Sequence, residues 1–139
     1  MSFDPISTVG IAKAIGTHAA KWLHNLARAG QARQLESLRA IDKVIPALRM
    51  TEAYTRGVAK GQTNHSTEAD IAFRWSELAA ELEALGLKAL AKKCDIKGRF
   101  WADPEQFDSE FLRQAGVDLK TVEKLAREVR TRIKLGARQ

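Results

Sequence analysis

Apolar side chains recur along this chain at three- and four-residue intervals, and no stretch alternates with the period of two that a strand requires. The first stripe runs over 6–29. On a helical wheel Val9, Ile11, Ala12, Ile15, Ala19, Trp22, Leu23 and Leu26 fill one arc, while Lys13, Thr17, His18, Lys21, His24, Asn25 and Arg28 fill the opposite one. Gly10 and Gly16 each weaken this helix by roughly 1 kcal/mol relative to alanine. Small residues on the apolar arc leave room for another helix to come close. A second stripe runs over 32–60 through Leu38, Ile41, Ile45 and Leu48, then drifts to Thr51 and Val58. Pro46 lies inside it, and its missing N–H and bulky ring predict a kink or two helices in sequence.

After a polar connection over 61–66, Thr67 is the expected N-cap of a third helix, with Asp70 three residues on as in a capping box. Ile71, Trp75, Leu78, Leu82 and Leu85 fall on one face of that helix, and Gly86 is placed to close it. A short fourth helix over 87–94 leads into an expected basic loop holding Lys97, Gly98 and Arg99. Asp103, Pro104, Glu105 and Gln106 read as a strong start for a fifth helix that ends at Gly116. Asp118 caps a sixth, whose Leu119, Val122, Leu125, Ala126, Val129 and Ile133 face inward. The pattern predicts an all-α fold: one helical bundle over 1–139, of about five or six helices, with a basic amphipathic first helix only loosely attached.

Composition agrees with a globular chain, at 45% apolar and 29% charged residues in 139. A single cysteine, Cys94, excludes an internal disulfide and fits a reducing compartment. Asp4 and Pro5 stand where a signal peptide would be basic. No stretch comes near the roughly 20 apolar residues that span a bilayer. The expectation is a cytoplasmic protein. Its net charge of +6 is unevenly spread: residues 5–35 and 118–139 carry +4 each and 87–103 carry +3, whereas 61–86 carry −4. That asymmetry suits a polyanion, or holds the chain's own helices together.

The segment from Phe111 to Leu125, FLRQAGVDLKTVEKL, resembles the helix-turn-helix of bacterial DNA-binding proteins. Gly116 ends the first helix, Val117 follows as the apolar turn residue, and Asp118 caps the second. Val122 and Leu125 sit where the second helix locks onto the first, and Ala115 suits the close approach before the turn. Leu112 departs from the pattern, which favours a small residue there. The resemblance covers about twenty residues, 111–130, within the expected hairpin 104–135. It implies a second helix in the major groove, with Lys120, Thr121, Lys124 and Arg127 toward bases and phosphates. Upstream, Lys97 and Arg99 beside Phe100 and Trp101 give the mixture of cations and rings that holds single-stranded nucleic acid. The same two rings also read as a staple anchoring the following helix to the core.

Reactive constellations are missing. His18, His24 and His65 do not converge, and no paired cysteines, His-Glu-x-x-His or phosphate-cradling glycine loop occurs. Glu77 and Glu81 share a face that reads as solvated. Cys94 stands among Lys92, Lys93 and Lys97, which would activate an exposed thiol, although a lone cysteine more often fills a core. The sequence therefore predicts no enzyme: no catalytic residues, no metal, no cofactor and no small-molecule substrate. It points first to an interaction module that binds a protein partner or forms a homo-oligomer, through Ile11, Ile15, Trp22 and Leu26. Nucleic-acid binding through Lys97, Arg99, Lys120, Thr121, Lys124 and Arg127 stands second. Membrane-surface contact by 6–29 ranks last.

Overall fold

In the computed structural model, which describes residues 28–137, the long stripe around Pro46 is two helices in sequence: α1 (28–42) and α2 (Val44–Ala59). Pro46 has no N–H to offer the Asp42 carbonyl, so the ladder is interrupted one turn earlier. The Lys43 N–H reaches back only three residues to the Ala40 carbonyl, at 3.1 Å. The buried positions nonetheless run on without a break, from Ser37, Ala40 and Ile41 through Val44, Ala47, Leu48 and Thr51. By its contacts the chain divides into two units, Met1–Gln34 and Leu35–Gln139, and the elements below belong to the second. The helix expected over 6–29, with Ile11, Ile15, Trp22 and Leu26, lies outside the described residues apart from its last two positions.

Helix α3 (His65–Ala84) starts earlier than expected. Asn64, extended at φ −151°, is the cap, and its side chain accepts the Thr67 N–H at 3.0 Å. Thr67 is therefore the third residue of the helix and not its cap. Ile71, Trp75, Leu78 and Leu82 are buried, as their spacing predicts. Gly86 closes the helix in a Schellman arrangement: its N–H meets the Glu83 carbonyl and the Leu87 N–H meets that of Leu82, both at 3.0 Å.

The expected basic loop is helix. α4 (Lys88–Ala102) runs straight through Lys97, Gly98 and Arg99. Gly98 is where α4 touches α3. A Cβ there would collide with the Ser76 hydroxyl and stand 3.1 Å from the Ser76 nitrogen and 3.2 Å from the Ala72 carbonyl oxygen. The residue that reads locally as a helix breaker is thus the one that lets two helices close.

The expected fifth helix is also divided. Pro104–Gln106 is a single 3₁₀ turn, Phe107 is extended, and Asp108 caps the seven-residue α5 (Ser109–Ala115) by accepting the Phe111 N–H at 2.7 Å. The Gln106 amide donates to the Arg99 and Asp103 carbonyls at 2.9 and 3.2 Å, so this stretch satisfies the end of α4 more than it begins a new helix. α6 (Leu119–Ala137) follows, burying Val122 and Ala126 and half-burying Leu119, Leu125, Val129 and Ile133 against the core.

Every regular element among the described residues is helical. Among them four long helices, α2, α3, α4 and α6, lie wholly within the second unit, a count that differs from the five or six expected. α1 enters that unit partway along its length, and the seven-residue α5 joins α4 to α6. Trp75 lies at the centre, fully buried, its indole N–H donating to the Thr51 hydroxyl at 2.9 Å. That hydroxyl in turn donates to the Ala47 carbonyl at 2.8 Å. At the surface Arg49–Glu123 and Arg130–Asp42 pair α6 with α2 and α1, and Lys43–Glu81 ties in α3. Each is exposed and contributes about 0–1 kcal/mol.

Candidate interaction surface

Helix α4 ends in two adjacent rings, Phe100 and Trp101, with Tyr54 and Phe73 beside Trp101 and a separate pair, Phe107 and Phe111, further along the chain. Trp101 meets Tyr54 of α2 edge-on at 5.6 Å and Phe100 at 5.8 Å. Phe107, just past the 3₁₀ turn, stacks on Phe111 of α5 at 5.4 Å. Phe73 of α3 lines a shallow cavity of about 490 Å³ together with Trp101, His65 and Ser76. Trp75 alone among the described aromatics lies fully in the core. Phe73 is 65% exposed and Phe111 44%. The Trp101 indole N–H is buried without a hydrogen-bond partner. Phe100 and Trp101 were read as a staple ahead of a helix start; they are instead the last turn of α4, half-buried, with Trp101 packed on the edge of the core.

A polar knot anchors this end. The Tyr54 hydroxyl accepts the Asn64 N–H at 2.9 Å and donates to Glu68 at 2.6 Å. Loss of water, then the Glu68 carboxylate, pushes the phenol pKa up. The exposed His65 ring stands 3.2 Å from the other Glu68 oxygen. Phe73 itself falls some 200° of helical arc from Ile71, so its exposure follows from the helical wheel.

The nominated nucleic-acid residues separate into two groups. Lys97 and Arg99 are two apart on α4 and point to different sides. Arg99 is exposed and holds Asp95 at 3.1 Å. Lys97 is half-buried in a cavity of about 360 Å³ shared with Phe100, Leu112, Val117 and Asp118. Burial pushes its ammonium pKa down, with the Asp118 carboxylate opposing. Lys120, Thr121, Lys124 and Arg127 come together as exposed residues of α6. Lys120 and Lys124 carry no ion pair among the described residues. Thr121 is turned onto Asp118, and Arg127 onto Glu123 at 3.1 Å. Glu123 also takes Arg49 at 3.0 Å, and these two guanidinium groups, Arg49 first, hold its carboxyl below the usual range.

The α5–α6 turn has several features of the motif it resembles. Gly116 is left-handed at φ 61° and ψ 50°, Val117 and Val122 are buried, and Asp118 accepts the Thr121 N–H at 3.1 Å. Only glycine adopts that backbone conformation at little cost. Lys93, which no local pattern marks for this role, locks the turn by donating to the Ala115 and Gly116 carbonyls at 2.7 and 3.2 Å. Yet α5 buries none of its residues, and Leu112 is half-buried where the motif favours a small side chain.

Cys94 is fully buried, and its thiol pKa is pushed up to about 12 by that burial, so the neighbouring lysines do not activate it. Glu81 is held by Lys43 and forms no pair with Glu77. Among the described residues no cluster of three His, Cys, Asp or Glu could hold a metal, and no helix is long and apolar enough to cross a membrane. Set against known protein families, curated proteins and solved structures, the chain finds no match in any of the three.

Proposed function

We propose that this chain is a non-catalytic helical interaction module that binds another protein or a second copy of itself. The observation that carries the reading is the exposure of large aromatic side chains, Phe73 at 65% beside Trp101 and Phe111 at 44% on α5. Aromatic side chains are enriched at protein interfaces because they bury large areas at small conformational cost. Ile11, Ile15, Trp22 and Leu26 offer a second apolar surface by amphipathicity alone. A photo-crosslinking residue at position 73 or 111 tests the reading in cells, with position 60 as the exposed control. The expected result is one defined adduct, with the chain itself or with a single partner, from 73 or 111 and none from 60. Phe73→Glu should abolish the adduct formed from 111 while leaving the unfolding midpoint unchanged. A monomer by light scattering at all concentrations, with no adduct from either position, refutes it.

A second reading, duplex DNA binding through α6, is favoured by the left-handed Gly116, the Asp118 cap and the unpaired Lys120 and Lys124. It is weakened by the pairing of Arg99 and Arg127 with acids and by the enclosure of Lys97. Fluorescence anisotropy with labelled duplex, at low and near-physiological salt, separates the two readings. On the DNA reading Lys120→Glu with Lys124→Glu removes binding and reduces the salt slope by about two contacts. On the interaction reading the same pair of changes leaves association intact.

A further inference from the structure

We propose that the cavity between α4, α5 and the α5–α6 turn binds a small monocarboxylate with an apolar body, and that the Lys97 ammonium is the partner of its carboxylate. The cavity measures about 360 Å³. That lies near the lower end of ligand sites and fits one ring with a short chain. Phe100, Leu112 and Val117 supply its apolar wall, while Ser109 and Arg113 line it from α5.

Lys97 is the cation left over in this neighbourhood. Arg113 is engaged by Glu110 at 2.6 Å, Lys93 by the Ala115 and Gly116 carbonyls, and Arg99 by Asp95. Lys97 makes no hydrogen bond among the described residues. Asp118, the acid on the wall, has one oxygen on the Thr121 hydroxyl at 2.6 Å and the other on the Thr121 N–H at 3.1 Å. It acts on Lys97 through its charge without accepting from it. Lys97 is half-buried with no acceptor for its ammonium among the described residues, so its partner is water, and a carboxylate entering the cavity beside it replaces that water with a charge-assisted bond. An amide would gain less, and an amine would be repelled.

The alternative is that Lys97 merely lays its stem along Phe100 and Leu112 and keeps its head in water. Titration of the full-length, isotope-labelled chain with phenylbutyrate, phenylbutyramide and phenylbutylamine decides between them. Phenylbutyrate should give saturable shifts at the Leu112 and Val117 methyl groups. The amide should bind at least about tenfold more weakly, and the amine should leave these signals unmoved. In Lys97→Met the acid and the amide should become equal, with circular dichroism and the melting curve showing the fold kept. Lys97→Gln repeats the comparison should the methionine variant fail to fold. Equal binding of acid and amide to the native chain, a preference that survives loss of Lys97, or no saturable shift below about 10 mM would each overturn the proposal.

Discussion

Thr51→Val is the sharpest probe of the core, because it changes almost nothing except one hydrogen-bonded pair. The Thr51 hydroxyl accepts from the Trp75 indole at 2.9 Å and donates to the Ala47 carbonyl at 2.8 Å, and both side chains are fully buried. Valine has the same shape, so no cavity opens. The Ala47 carbonyl keeps its helical partner, the Thr51 N–H, and is not orphaned. The Trp75 N–H is. Leaving a buried donor without a partner costs about 1–3 kcal/mol. The added methyl returns roughly 0.8 kcal/mol. The net expectation is a loss of roughly 0.2–2.2 kcal/mol. Urea unfolding followed by far-ultraviolet circular dichroism measures it independently of indole fluorescence. In a Trp75→Phe background there is no N–H to satisfy, so the same substitution should cost nothing or stabilise slightly. The coupling between the two positions should then reach about 1–2 kcal/mol. A coupling below about 0.5 kcal/mol would mean that the Thr51–Trp75 bond does not contribute to the fold and would sink the reasoning.

Gly98→Ala should destabilise by about 1–3 kcal/mol through overpacking against Ser76, despite alanine's higher helix propensity. Gly30→Ala, with nothing within 4 Å, should be neutral or stabilising in the same unfolding assay. Cys94 should resist a thiol reagent in the native chain and react once urea unfolds it; native reactivity at the rate of a free thiol would contradict its burial. The Glu123 carboxyl is held below its ordinary 4.5, so folding releases protons there. Its contribution is present above about pH 4.5 and lost as pH falls through and below that value, and Glu123→Gln should flatten the acid limb of a melting-temperature profile. Phe73→Glu should change stability by no more than about 0.5 kcal/mol, whereas Phe111→Glu also loses the stack on Phe107 and should cost about 0.5–1.5 kcal/mol.

What the sequence made legible was local. The caps at Asp118 and Gly86 and the turn at Gly116 act within four residues, and the buried stripe of α3 follows from a period of 3.6 alone. What it hid was decided at a distance. Gly98 among cations reads as a loop until Ser76 and Ala72 are seen across from it. Asn64 and Thr67 are both competent caps, and the choice went to the residue beside Tyr54, whose hydroxyl takes the Asn64 N–H. Asp103 with Pro104 has every local mark of a helix start. The Gln106 amide, bound to the carbonyls of Arg99 and Asp103, makes that stretch the terminator of α4 instead. The candidate site was hidden for the same reason: its rings come from α2, α3, α4 and α5, and no window of sequence contains them together.

The placement of those rings follows from the packing. Where α3 and α4 approach as closely as Gly98 allows, the space between them admits Ala72 and Ser76 but no ring. Trp75 escapes this limit by facing α2, where Thr51 receives its N–H. The remaining large rings are left outside the core: Trp101 at the end of α4 finds Tyr54 and Phe100, and Phe107 and Phe111 stack on each other, without full burial. Folding therefore requires little of Phe73, while Phe111 contributes through its stack on Phe107 and still leaves 44% of its surface exposed. A surface that the fold does not need is one that a partner can use, and this separates the aromatic end from the core. Substitutions at Thr51 or Gly98 should damage association only in proportion to the fold they unsettle. On the proposed interaction reading, charge at Phe73 should damage association with the fold intact.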